Sequence, residues 1–183
     1  SEGALTMKEF TLKNGETLWV RQARGTDAAA CLAYLRCVGG ESDYLLVGPE
    51  GVPLTEAQEA EFLEAQFDKP DRRMFVALIG DEVVGLANVE AKTHKRIAHN
   101  AHMGISVRRR LWGQGVGSAL MQEIIDFCRE TGTIRNLCLE VYADNERAVR
   151  LYQKFGFAVD GLRKKYLLVN GVYHDEALMR LSL

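Results

Sequence analysis

Three glycines at alternate positions, Gly113, Gly115 and Gly117, sit where the hydrophobic period of the chain changes. Before them, Met103, Ile105 and Val107 alternate with His102, Gly104 and Ser106, the period of a strand. After them, Val116, Leu120, Ile124 and Phe127 recur every three or four residues, flanked by Met121, Ile125 and Cys128. Ser118, Gln122, Asp126 and Arg129 form a narrow polar stripe, so the segment is an amphipathic helix that Gly132 is placed to end. A strand entering a helix through such a turn leaves backbone N–H groups bare at the positive end of the helix dipole. That suits a phosphate or pyrophosphate, and the basic run Arg108-Arg109-Arg110 adds to the anion reading. The plainer alternative is a tight turn that only packs helix on sheet.

Two better-known glycine loops do not fit. A Walker loop ends Gly-Lys-Ser/Thr, whereas Gly117 is followed directly by Ser118. A dinucleotide fingerprint reads G-x-G-x-x-G with an acidic residue closing the next strand; here the spacing is G-x-G-x-G, and Glu140 falls inside that strand.

The 183 residues suffice for one domain with a real core. With 23 Lys and Arg against 25 Asp and Glu, the net charge of −2 argues against a general nucleic-acid binder. Cys31, Cys37, Cys128 and Cys138 form no C-x-x-C pair and lie in apolar patterns, which reads as buried thiols in a reducing cytoplasm. No apolar run approaches the ~18 residues of a membrane span, and the N-terminus lacks a signal-peptide core. Residues 1–6, ahead of Met7, read as an expression remnant outside the fold.

Along the chain, Leu18–Ala23 is a first strand. A helix capped by Asp27 follows to about Val38, where Gly39-Gly40 stops it. From Glu41 to Asp68 there are eight acidic residues and no Lys or Arg, with a helix starting at Thr55 near capping-box spacing to Gln58 and Glu59. The stretch is either a solvated helix face or an acidic wall that attracts a cationic substrate. Met74–Ile79 and Val83–Val89 flank a Gly80-Asp81 turn, and a basic connector, Lys92–His99, leads to the strand Ala101–Val107. Leu137–Tyr142 returns parallel to that strand, completing a βαβ unit. Asp144 or Asn145 caps a helix through Phe155, with Gly156 closing it, and Asn170-Gly171 turns a hairpin of Leu162–Val169 and Val172–Leu181.

Two segments then agree on one family. Trp112-Gly113-Gln114-Gly115-Val116-Gly117 resembles the Q/R-x-x-G-x-G/A pyrophosphate loop of the GNAT N-acetyltransferases, and Asn145 through Phe157 resembles their N-x-x-A-x-x-L-Y-x-x-x-G-F segment. The element order fits over about residues 17–182. One departure is Trp112, where the family usually has Arg or Gln; Arg108 to Arg110 are candidates for the missing charge. The resemblance implies an α/β GNAT fold, a mixed sheet of about six or seven strands with helices on both faces and a splayed parallel pair in the middle. It also implies acetyl-CoA as donor, a primary amine as acceptor, and no metal. The backbone of Ile105, Ser106 and Val107 would hold the pantetheine and polarise the thioester, the amides of Gly113 to Ser118 the pyrophosphate, and Asn145 the pantetheine arm.

Asn145 and Tyr152 are two helical turns apart, roughly 10 Å along one face, so the tyrosine can reach the sulfur. A phenol (pKa about 10) is a weaker acid than a thiol (about 8.5), so full proton transfer is uphill by about 2 kcal/mol and Tyr152 acts first as a hydrogen-bond donor. The base that frees the amine is Glu140 by preference, with Glu90 and His102 as competitors. The acceptor is a small amine, cationic if the acidic stretch is a wall, or a peptide or protein amino group. The alternative from a different class is a non-catalytic acyl-CoA sensor of the same fold. Partners are acetyl-CoA and the acceptor, with no nucleic acid and no membrane; a homodimer is compatible with the reading.

Overall fold

The computed structural model describes residues 6–183. Of the suspected N-terminal remnant, residues 1–5 lie outside the described residues. The chain runs β1 (Lys8–Thr11), β2 (Thr17–Gln22), α1 (Ala28–Glu41), α2 (Glu56–Gln66), β3 (Arg72–Ile79), β4 (Glu82–Ala91) and β5 (Asn100–Val107). Then come α3 (Val116–Thr131), β6 (Asn136–Tyr142), α4 (Glu146–Lys154), β7 (Ala158–Val169) and β8 (Val172–Ser182). All the strands form one sheet in the order β1-β2-β3-β4-β5-β6-β8-β7, antiparallel except for β5–β6. The eighth strand is β1, too short and too polar to show an alternation. It is held by pairing with β2 and by the Lys8 ammonium, 3.1 Å from the buried Glu123 of α3.

Alternation sorts the faces. Phe75, Ala77, Ala87 and Val89 join the cluster under α3 and α4, while Val76, Leu78 and Leu86 join the cluster under α1 and α2. In α3, Leu120, Met121 and Ile124 are wholly buried, each contributing roughly 1.5–3 kcal/mol. The hairpin turn forms as its dipeptide predicts, with Asn170 and Gly171 both at positive φ (50° and 76°).

Helix α1 departs from expectation at both ends. Gly39-Gly40 do not stop it; the helix runs through them to Glu41. Gly39 is there for space, since a Cβ would lie 2.0 Å from the carbonyl oxygen of Gly48. At the start, the Asp27 carboxylate makes no cap to α1; it accepts from the Arg24 N–H at 2.7 Å and from both terminal nitrogens of Arg21. The Thr55–Gln58 capping box on α2 forms as read. Only Cys31 and Cys128 are fully buried: Cys37 of α1 is exposed and Cys138 of β6 is half-buried.

The feature that makes the site is a fork. β5 and β6 pair only through Asn100↔Asn136, Ala101↔Leu137 and His102↔Cys138. Beyond that point β5 stays bonded to β4 as far as Val107, and β6 stays bonded to β8 as far as Tyr142. The two strands continue but no longer hydrogen-bond to each other, so the sheet opens in its middle.

Candidate active site

The fork opens into a cleft of about 840 Å³ lined by β5, the glycine loop, α4, β6, and the segment 42–46 that follows α1. Each glycine of the loop has its own reason. Gly113 and Gly115 have φ of 75° and 110°, which side chains resist, and Gly115 is the N-cap of α3. Gly117 is helical, but a Cβ on it would meet the Leu151 side chain of α4 at 2.9 Å, so it lets the two helices close up. Leu111 and Arg109 carbonyls accept from the N–H groups of Gln114 and Trp112. The N–H groups of Gly113, Gly115, Val116, Gly117 and Ser118 find no acceptor among the described residues. These five amides gather at one helix N-terminus as a cradle of open donors; Gln114 lines the cleft with its own N–H already bonded.

The charge around that cradle is not the one expected. Arg108 is spent on Glu41 (2.7 Å) and Glu82 (3.3 Å), and Arg110 on Glu82 (2.8 Å). Arg108 and Arg110 therefore fasten the end of β5 to α1 and β4, while the Arg109 guanidinium lies 5.3 Å from the centroid of the Trp112 ring, outside the cleft lining. Trp112 donates its indole N–H to the Val107 carbonyl at 3.0 Å, and its ring carries the guanidinium of Arg147 at 3.8 Å. Arg147 has no ion pair among the described residues, and burial pulls its pKa down. It lines the cleft with Lys13, Arg150 and Lys154, for which the described residues provide no ion pair either. The cation that lies nearest the tryptophan and also lines the cleft is thus Arg147 of α4.

Asn145 and Tyr152 both line the cleft and both are buried, at 8% and 7% exposure. The Asn145 side-chain oxygen caps α4 by accepting from the Ala148 N–H at 3.3 Å, which leaves its NH₂ for the cleft. Tyr152 packs on Phe157, with 5.8 Å between ring centroids, and its hydroxyl has no hydrogen-bond partner among the described residues. Burial pushes its pKa up to about 12. A phenol held so far above an ordinary thiol, at about 8.5, gives up its proton less readily than a free tyrosine does.

Across the fork, the alternation of β5 and β6 puts His102, Ser106, Glu140 and Tyr142 on the face that carries α1, opposite Tyr152. The His102 Nε2 and a Glu140 oxygen are in direct contact, so two of the three base candidates form one pair. Glu90 lies opposite His102 in the β4–β5 ladder, exposed and outside the cleft lining. Ser106 is held by the buried Tyr34 of α1, oxygen to oxygen 3.0 Å. Ile105 and Val107 share the other face with Tyr152.

The acidic wall does not form. Of the eight carboxylates between Glu41 and Asp68, only Glu41 lines the cleft, and it is bound to Arg108 and to the N–H of Arg109. Glu64 accepts from Arg24 and Gly25, Glu59 is buried, and α2 packs on β3 away from the opening. In its place segment 42–46 crosses the mouth as a strap: the Tyr44 hydroxyl donates to the Asp144 carbonyl, and its ring meets Tyr142 edge-on with centroids 5.4 Å apart. Neither Tyr44 nor Arg147 was singled out from the sequence. Tyr44 lies in irregular chain with no period, and Arg147 was signalled only by its place inside the N-x-x-A segment.

Comparison with known proteins agrees with this geometry. The family model for the acetyltransferase (GNAT) family matches residues 42–157. The L-amino acid N-acetyltransferase AaaT of Escherichia coli (strain K12) is 38% identical over 112 residues, 61% of this chain and 69% of that one. Further curated relatives are matched over about a third of their own length. A GNAT-family acetyltransferase structure from Streptococcus pneumoniae superposes with a TM-score of 0.87 at 31% identity, covering 91% of this chain and 99% of that one. The Salmonella typhimurium yncA structure, solved with its cofactor acetyl-CoA, shares the fold at a TM-score of 0.77 and 18% identity, over 91% and 94% of the two chains. The chain belongs to the GNAT acetyltransferase family, whose members use acetyl-CoA.

Proposed function

We propose that the chain transfers an acetyl group from acetyl-CoA to a primary amine, the two substrates approaching from opposite faces of the fork. The observation that carries the reading is the pairing of five unpartnered amides at the N-terminus of α3 with a tyrosine whose hydroxyl faces the same cleft without a partner. The amides of Gly113 and of Gly115 through Ser118, with Arg147 beside them, fit a diphosphate, because they offer donors and charge with no competing carboxylate. The open edge of β5 from Ile105 to Val107 runs from that cradle to the point of the fork, as an extended pantetheine arm requires. Bound there, acetyl-CoA supplies the activated acyl group.

The protein's own residues then have separate tasks. Glu140, in contact with His102, takes the proton from the acceptor ammonium on the face that carries α1. Tyr152, on the other face, donates a hydrogen bond to the sulfur as negative charge develops on it and keeps its own proton. The NH₂ of Asn145 is left to bond the pantetheine amides. Since AaaT is named for L-amino acids, an α-amine is the acceptor group of first choice. The test is release of free thiol from acetyl-CoA with a panel of α-amines: acceptor-dependent release is expected, and tight CoA binding without release for any acceptor would overturn the reading in favour of a sensor.

A further inference from the structure

We infer that the acceptor is an α-amine whose neighbouring carboxyl group is masked, as at a peptide N-terminus or in an amino-acid amide, and that it carries a large apolar side chain. The inference rests on the acetyl-transfer reading and names the substrate class for that same site. It follows from how charge is divided across the fork. Every Lys and Arg that lines the cleft (Lys13, Arg147, Arg150 and Lys154) belongs to the β1–β2 turn or to α4, around the cradle. The acceptor side, formed by the strap, β6 and the β7–β8 hairpin, contributes no Lys or Arg to the lining.

The charged groups it does contribute are carboxylates. Glu140 is in contact with His102, and Glu176 is buried with one oxygen 2.8 Å from the Arg163 guanidinium, which is not part of the lining. A free amino acid would carry its carboxylate into this side two bonds from the reacting nitrogen, beside two carboxylates whose basic neighbours, His102 and Arg163, are already paired with them. A peptide or amide carbonyl brings no such charge. An ammonium, by contrast, enters favourably and reaches the Glu140–His102 pair.

The rest of the acceptor side is apolar. Tyr44, Leu45 and Leu46 of the strap line the cleft with Tyr142 and Leu167, and the Tyr44, Tyr142 and His174 rings form an edge-to-face triangle with centroid distances of 5.4 to 6.4 Å. Leu46 stands 86% exposed at the mouth, an apolar surface that a side chain next to the amine would cover.

The experiment compares thiol release with L-leucine, L-leucinamide, the tripeptide Leu-Gly-Gly and L-serinamide. Leucinamide and the tripeptide are expected to exceed leucine in kcat/KM by about tenfold or more, and to exceed serinamide. A Leu46→Arg variant, which places a cation on the acceptor side at an exposed position, is expected to raise activity on leucine and narrow that gap. A Tyr44→Ala variant is expected to narrow the gap between leucinamide and serinamide through KM. Leucine equal to or better than leucinamide would overturn the inference and leave acetyl transfer standing. No release with any of the four, although CoA binds, would bring down both.

Discussion

The two sides of the fork were built differently. The donor side stands on regular elements: β5 ends, three glycines turn, α3 begins, and α4 presents Tyr152 two turns after its own N-cap. The acceptor side depends on a strap without secondary structure, drawn over the mouth because α1 runs three residues past Val38 and Gly39 allows the Gly48 carbonyl to close on it. On the proposed reading, chemistry that needs fixed amides and a fixed hydroxyl stands on regular elements, while choice of acceptor falls to an irregular segment.

The sharpest separation of the two sides is expected from Tyr152→Phe. Losing one donor to the leaving sulfur should lower kcat about 10²-fold, while CoA affinity and the order of preference among acceptors stay as they were. Loss of CoA binding in that variant would instead make Tyr152 a packing residue. Next in size is Gly39→Val: a Cβ placed 2.0 Å from the Gly48 oxygen must push the strap away. The acceptor KM should rise roughly tenfold with the Kd for CoA nearly unchanged, and the melting temperature should fall, since overpacking typically costs about 1–3 kcal/mol.

A third test uses pH. With its pKa raised by burial to about 12, Tyr152 keeps its proton in the folded chain when the unfolded chain, near 10, has lost it. Stability is therefore fully present below about pH 10 and declines from there toward pH 12, by roughly 3 kcal/mol for this group. The buried Tyr34, also pushed up by burial, adds to the same slope. Denaturant midpoints between pH 9 and 12 should show the fall, and Tyr152→Phe should flatten part of it. The smallest effect is expected from Glu61→Lys on the exposed face of α2, which should leave KM within about twofold for every acceptor, cationic ones included. A strong loss confined to cationic acceptors would restore the acidic wall.

The same contrast explains what could be read ahead of the structure. Locally coded features came through: the periods of β5 and α3, the Asn145 cap, the Asn170-Gly171 turn, and the return of β6 parallel to β5. Features decided by distant partners did not. Gly39 looks like a helix stop because its neighbour, Gly48, is nine residues away, and Arg108 and Arg110 look like phosphate ligands because Glu41 and Glu82 are remote in sequence. The eight carboxylates read as one surface although packing sends them in different directions, one into the cleft, one into the core and one to Arg24. Cys37 looks like a buried thiol in the sequence because the weak amphipathicity of α1, with glycines and alanines on several sides, hides which face is outer.

The claim beneath all of this is that bare main-chain amides at the head of α3 hold a diphosphate. Amide chemical shifts of ¹⁵N-labelled protein, followed during titration with CoA and in parallel with acetyl-pantetheine, which lacks the diphosphate, address it directly. The N–H signals of Gly113, Gly115, Gly117 and Ser118 should move strongly with CoA and scarcely with acetyl-pantetheine, while those of Ile105 to Val107 move with both. Large shifts at Ile105 to Val107 alone, or CoA-dependent shifts that avoid the glycines, would contradict it.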